Sequence, residues 1–110
     1  MIGYKGFDKN FRCHGIQYAV GEIYHYNGDI KLCERGFHFC DTPLAVFEFY
    51  PPQSSRFALV EATGKILSDD SHKFCTDEIK ILKELSLNEL IHEASKIRKY
   101  LVSIRGIIQS

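Results

Sequence analysis

Glycine punctuates the first third of this chain so often that only short extended segments fit between its stops. A strand is complete in roughly five or six residues, whereas an ordinary helix needs about ten or more without a break. The segments between the glycines have strand character. Met1–Asp8 carries Ile2, Tyr4 and a Gly6-Phe7 step, and Ile16–Val20 places Ile, Tyr and Val on alternate positions, the period of a half-buried strand. Gly21 separates that run from Glu22–Tyr26. Asn27-Gly28 is a tight-turn pair that needs positive φ, so Asp29–Cys33 is predicted to return as a hairpin partner. Gly36 resets the chain before a further short strand, Phe37–Cys40.

The remainder alternates between helix and strand signals. Asp41-Thr42-Pro43 is a helix start: Asp41 or Thr42 caps, and Pro43 fits the first helical position because its missing N–H would be unpaired there. Leu44, Val46 and Phe47 supply an apolar face until Pro51-Pro52 stop the helix. Arg56–Thr63 sets Ala58, Val60 and Ala62 on one apolar side, an interior strand ended by Gly64, and His72–Leu82 is read as strand. Ser86-Leu87-Asn88-Glu89 matches a capping box. Leu87, Leu90, Ile91, Ala94, Ile97, Leu101 and Ile104 then repeat at threes and fours up to Gly106, one amphipathic helix. The predicted fold is α+β, a mostly antiparallel sheet with one short central helix and one long C-terminal amphipathic helix, in a single domain over residues 1–110.

Charge excludes some classes of function. Fourteen Lys and Arg balance fourteen Asp and Glu, so no basic surplus is available for bulk nucleic-acid binding. No apolar run approaches the roughly 20 residues of a membrane span, and no leader precedes the first strand, so a cytoplasmic, soluble protein is expected. The four cysteines, at 13, 33, 40 and 75, are then expected to be reduced thiols.

Three constellations carry chemistry. Cys13, Cys33, His38 and Cys40 are a candidate zinc set, because residues two apart on a strand share a face and His38 and Cys40 can converge; the alternative is core packing of small thiols beside aromatic rings. Lys96, Arg98, Lys99, Tyr100 and Arg105 cluster at the end of the last helix. They suit an acidic protein surface or a phosphate, against the simpler reading of a cationic turn that complements the helix dipole. A Cys–His nucleophilic pair is available from four cysteines and five histidines, with no spacing that selects one. The glycine spacings match no phosphate loop, and Asp69-Asp70 and Asp77-Glu78 read as solvated turns.

Several segments together carry a resemblance: Gly3-Tyr4-Lys5-Gly6-Phe7-Asp8, Cys13, Gln17-Tyr18, Val20-Gly21, Leu32-Cys33-Glu34, Gly36-Phe37-His38, Cys40, Pro43, Tyr50, Ser55-Arg56-Phe57-Ala58, Val60-Glu61-Ala62 and Gly64. Over residues 3–64 the chain resembles a family of short phage, prophage and bacterial proteins described only as a domain of unknown function. That resemblance implies an accessory protein of mobile elements that binds a host protein, for instance as an anti-CRISPR-like inhibitor of a defence nuclease complex. No cofactor and no catalytic residue are expected on this reading. A second resemblance, of layout, is to ADP-ribosyltransferase-like domains. An early Tyr-Lys-Gly strand, a Gly-Phe-His-Phe strand running into Asp-Thr-Pro, and an Ala-Leu-Val-Glu strand follow in that order. It implies NAD binding, active or degenerate, with Lys5, His38 and Glu61 lining a cleft. A homodimer joined through the helix stripe or a sheet edge is the third expectation.

Overall fold

The computed structural model describes residues 1–96. The strands run β1 (Ile2–Phe7), β2 (Arg12–Cys13), β3 (Ile16–Gln17), β4 (Ile23–His25), β5 (Phe37–Cys40), β6 (Arg56–Ala62), β7 (Ile66–Ser68), β8 (Lys73–Thr76) and β9 (Glu78–Leu85). Seven of them form one sheet in the order β4-β9-β6-β1-β5-β8-β7, with β4 and β7 at its edges and β2 and β3 in a separate ribbon. Every pairing is antiparallel. A 3-10 turn, Leu44–Glu48, lies between β5 and β6, and α1 covers 87–96.

The expected pair of helices is corrected by this architecture. Among the described residues there is one α-helix, and the central segment closes only five residues of 3-10 turn. Its cap fails for a specific reason. No side chain caps Pro43, and the Asp41 carboxylate is engaged across the sheet, where it meets His72 Nδ1 at 2.9 Å. Pro51 then bars the helical conformation at Tyr50, so the segment has no room to extend. At α1 the capping box forms as expected. Ser86 N–H donates to Glu89 Oε1 and Glu89 N–H donates to Ser86 Oγ, each at 3.1 Å. Of the predicted stripe, Leu90 is fully buried while Leu87 and Ile91 stay exposed; Ile97, Leu101 and Ile104 lie outside the described residues.

The hairpin expected at Asn27-Gly28 is also corrected. Asp29–Cys33 forms no strand, and residues 29–36 are a loop held by the Lys31–Arg35 bridge. β4 pairs instead with β9, setting Tyr24 opposite Ile79. That partner gives the Tyr24 ring a place against Tyr18 and Phe37, contacts a local hairpin cannot supply. The 72–82 segment is strand as read, but divided at Asp77 into β8 and β9.

Alternation along β6 places the core on both faces. Ala58, Val60 and Ala62 join Phe7, Ile79 and Ile81, and the Phe11–Tyr18 segment that carries β2 and β3 lies over them. On the other face Phe57 and Leu85 meet Ala45, Val46 and Leu90. Burying one leucine such as Leu90 contributes about 2 kcal/mol, which helps to anchor α1 together with its cap and the Lys83–Glu89 ion pair.

Two glycines at positive φ separate backbone strain from crowding. Gly36 has φ +105°, and a Cβ there would lie 2.7 Å from Cys75 Sγ and 3.0 Å from the Thr76 carbonyl; Gly15 has φ +79° with open space around it. Gly36→Ala is expected to lower unfolding free energy by about 3 kcal/mol and Gly15→Ala by only about 1 kcal/mol, measured by urea denaturation with unchanged m.

Candidate functional site

One residue pair, Tyr4 with Cys40, joins β1 to β5, whereas six pairs join β1 to β6. Beyond Tyr4 the two inner strands part. The His38 carbonyl has no β1 partner in the ladder and accepts instead from Lys5 Nζ at 2.7 Å. A side-chain ammonium thus replaces a ladder hydrogen bond, which keeps the separated strands tied without closing them. Gly6 makes room for an aromatic ring on the same stretch. The Tyr50 ring lies where a Cβ would stand, 2.3 Å from its Cδ2, so only glycine lets the ring rest on the β1 backbone. Tyr50 Oη is 2.8 Å from Cys13 Sγ, which in turn receives Lys5 Nζ at 3.8 Å.

The result is a cleft of about 320 Å³ between β1, β5, the end of the 3-10 turn and β8. Its cationic and imidazole lining comes from Lys5, Lys73, His14 and His38, and its rings from Phe49 and Tyr50. No Asp or Glu lines it. In a chain with equal numbers of acids and bases, that lining is locally unbalanced toward bases. Lys73 Nζ stands 4.6 Å from the Phe49 ring centre and 3.2 Å from Cys33 Sγ, so one cation touches both an aromatic wall and a thiol.

Burial shapes the titration of these groups. Lys5 is 3% exposed and its ammonium is held below the ordinary lysine range by desolvation, partly offset by Cys13. His38 is pushed down to about 4 by burial and by the neighbouring Lys5, Lys73 and His14, so it is neutral at pH 7. The neutral ring is useful where it sits: Nε2 accepts the Cys33 backbone N–H at 2.7 Å. Burial pushes the Cys40 thiol up to about 11 and raises Cys75 as well.

The structure distributes the sequence-predicted residues as follows. Lys5 and His38 meet at the cleft. Glu61 does not join them; it lies opposite Ile2, three register steps from the Lys5–Ala58 pair and on the other face of the sheet. Of the four zinc candidates, Cys33, His38 and Cys40 line the cleft and Cys13 lies behind it, bonded to Tyr50. Among the described residues no three His, Cys, Asp or Glu side chains are arranged to hold a metal ion. Lys96 is exposed and bonded to Glu93 at 3.3 Å, while Arg98, Lys99, Tyr100 and Arg105 lie outside the described residues. Lys73, Phe49 and Tyr50 had no sequence signal as site residues. Lys73 arrives through the β5–β8 register, which sets it opposite Cys40.

The model of a family described as a domain of unknown function, DUF7666, matches residues 1–93. No curated protein and no solved structure matches the chain. Among the described residues, no helix is long and apolar enough to cross a membrane.

The His38 position gives a pH signature. Its native value lies below the unfolded one of about 6.5, so the unfolded chain binds the extra proton between the two. The stability contribution is therefore full above pH 6.5 and is lost as pH falls through 4. Against His38→Gln, which keeps an acceptor for Cys33 N–H without titrating, wild type is expected to lose a further 1–2 kcal/mol or so across that window, after allowing for solvent screening of a half-exposed ring. Urea midpoints of both proteins from pH 7.5 to 4 measure the difference.

Proposed function

We propose that this chain, which belongs to the DUF7666 family, binds a nucleotide-like ligand in the cleft between β1 and β5 and does so without transferring any group from it. The observation that carries the proposal is the cleft's composition: lysine and histidine beside two aromatic rings, with no carboxylate. Such a lining suits a ligand that is both anionic and planar. Phosphate or carboxylate oxygens find Lys73, and a ring finds Phe49 and Tyr50. A nucleotide joins the two properties in one molecule.

The likeness of layout to ADP-ribosyltransferase-like domains points in the same direction. Its early Lys5 strand and its Gly-Phe-His-Phe strand are the two strands that part to make the cleft. The late Glu or Gln of that layout has no counterpart at the cleft, since Glu61, the residue that likeness suggests, is on the opposite face. Binding of NAD or a related nucleotide by a degenerate relative is therefore the reading we adopt. The accessory, protein-binding reading comes from the family resemblance and would use exposed aromatics and the basic helix end; of that helix end only Lys96 is described, and the proposal is not built on it.

Calorimetric titration with NAD, ADP-ribose, AMP and neutral nicotinamide tests this. At least one phosphate-bearing ligand is expected to bind, and nicotinamide alone to bind more weakly. Lys73→Ala should weaken binding about tenfold, or ~1.4 kcal/mol, with a loss that shrinks at high salt. Phe49→Ala should weaken it about three- to tenfold. No heat and no thermal shift with any of the phosphate-bearing ligands at millimolar concentration would sink the proposal.

A further inference from the structure

We propose that Cys33 is a modification site, a thiol that exchanges with anionic low-molecular-weight disulfides at the mouth of the cleft, with Lys73 as its counter-charge. Of the four cysteines, Cys13, Cys40 and Cys75 are buried and only Cys33 is exposed. The raised thiols of Cys40 and Cys75 stay protonated and shielded at neutral pH. Cys33 is set apart by its surroundings as well as by exposure. Lys73 Nζ donates to its Sγ at 3.2 Å, and its own N–H is held by the neutral His38 ring at 2.7 Å. Its backbone sits at φ 68°, a conformation that costs a non-glycine residue about 1 kcal/mol or more unless its neighbours hold it. Here the imidazole and the Lys31–Arg35 bridge on either side do so. The sulfur is thereby fixed beside a cation, in a cleft whose lining attracts anions.

The reaction is an exchange and balances without an added oxidant. Cys33 loses its proton to solvent and Sγ attacks one sulfur of a disulfide R–S–S–R. The Cys33–S–S–R bond forms as the original S–S bond breaks, and the departing thiolate takes a proton from solvent to become R–SH. Lys73 sits where it neutralises the attacking sulfur and receives a carboxylate of the incoming molecule. This inference uses the charge of the cleft and does not require that a nucleotide bind there.

The test compares two disulfides of opposite charge on the native full chain: oxidised glutathione, an anion, and cystamine, a cation. Adducts are followed by intact mass and located by peptide mapping. One adduct at Cys33 is expected, forming about tenfold or more faster with oxidised glutathione than with cystamine at low salt. Cys33→Ser should remove it. Lys73→Ala should slow the glutathione reaction about tenfold and the cystamine reaction much less, with recovery in Lys73→Arg. Adduct first on another cysteine of the folded protein, equal rates for the two disulfides, or an unchanged rate in a folded Lys73→Ala would each overturn the proposal. The wild-type comparison needs no variant, so it decides the matter even where a variant fails to fold. A chain that forms the adduct yet binds no nucleotide upholds this inference and loses the previous one.

Discussion

Lys5 holds together a sheet that its own strand divides. β1 is central, zipped to β6 along six residues and joined to β5 by one pair, and the ammonium on the His38 carbonyl bridges the place where the ladder stops. Placing a lysine at 3% exposure is costly unless its donors are used, and desolvation pulls its titration below the usual range. The contacts that offset this cost are the carbonyl, the Cys13 sulfur and the Phe7 and Tyr18 rings at 5.7 and 5.6 Å. The neighbouring features follow from that arrangement. The partial separation of β1 and β5 leaves room for Tyr50 over Gly6, and Tyr50 in turn bonds Cys13, which touches Lys5.

Electrostatics in this protein is local. A net charge of zero describes the chain as a whole, but the acids that balance the lysines lie elsewhere. Glu84 binds Arg56, Glu78 faces His25, and Asp41 meets His72, leaving the cleft lining with bases, rings and thiols. A neutral His38 fits this environment because a second buried charge beside Lys5 would be unfavourable. Its neutrality then gives the Cys33 loop an acceptor, so the same repulsion that depresses one group positions another.

Several strands were legible in the chain because period-two alternation and glycine stops are local properties, although the Ile16–Val20 run gives only the two-residue β3 and Asp29–Cys33 gives none. β1, β5 and β6 fall where the alternation of Ile2, Tyr4, Phe37, Phe39, Ala58 and Val60 puts them. The Ser86–Glu89 cap was legible for the same reason, being complete within four residues. Partnering was not legible. Asn27-Gly28 is a sound turn signal, yet β4 finds β9, more than fifty residues away, because the aromatic contacts of Tyr24 are worth more than a local return strand. The Asp41 cap failed in the same way, drawn off by His72 from a distant turn.

The candidate site shows the same division. Lys5 and His38 were named from the chain, Lys5 through the likeness of layout alone and His38 also as a candidate zinc ligand two residues from Cys40. Lys73 carries no mark in the chain, and Tyr50 is marked by the resemblance without a role attached; the β5–β8 register and the close approach at Gly6 bring them to the cleft. By itself the sequence determined that this is a mostly antiparallel sheet built from short strands, because turn chemistry and side-chain period act over a few residues. Only the tertiary structure decided where that sheet parts, which acids are kept from the gap, and which of four cysteines meets a lysine at its mouth. Those outcomes depend on register between distant strands, and register is set by packing that no local pattern encodes.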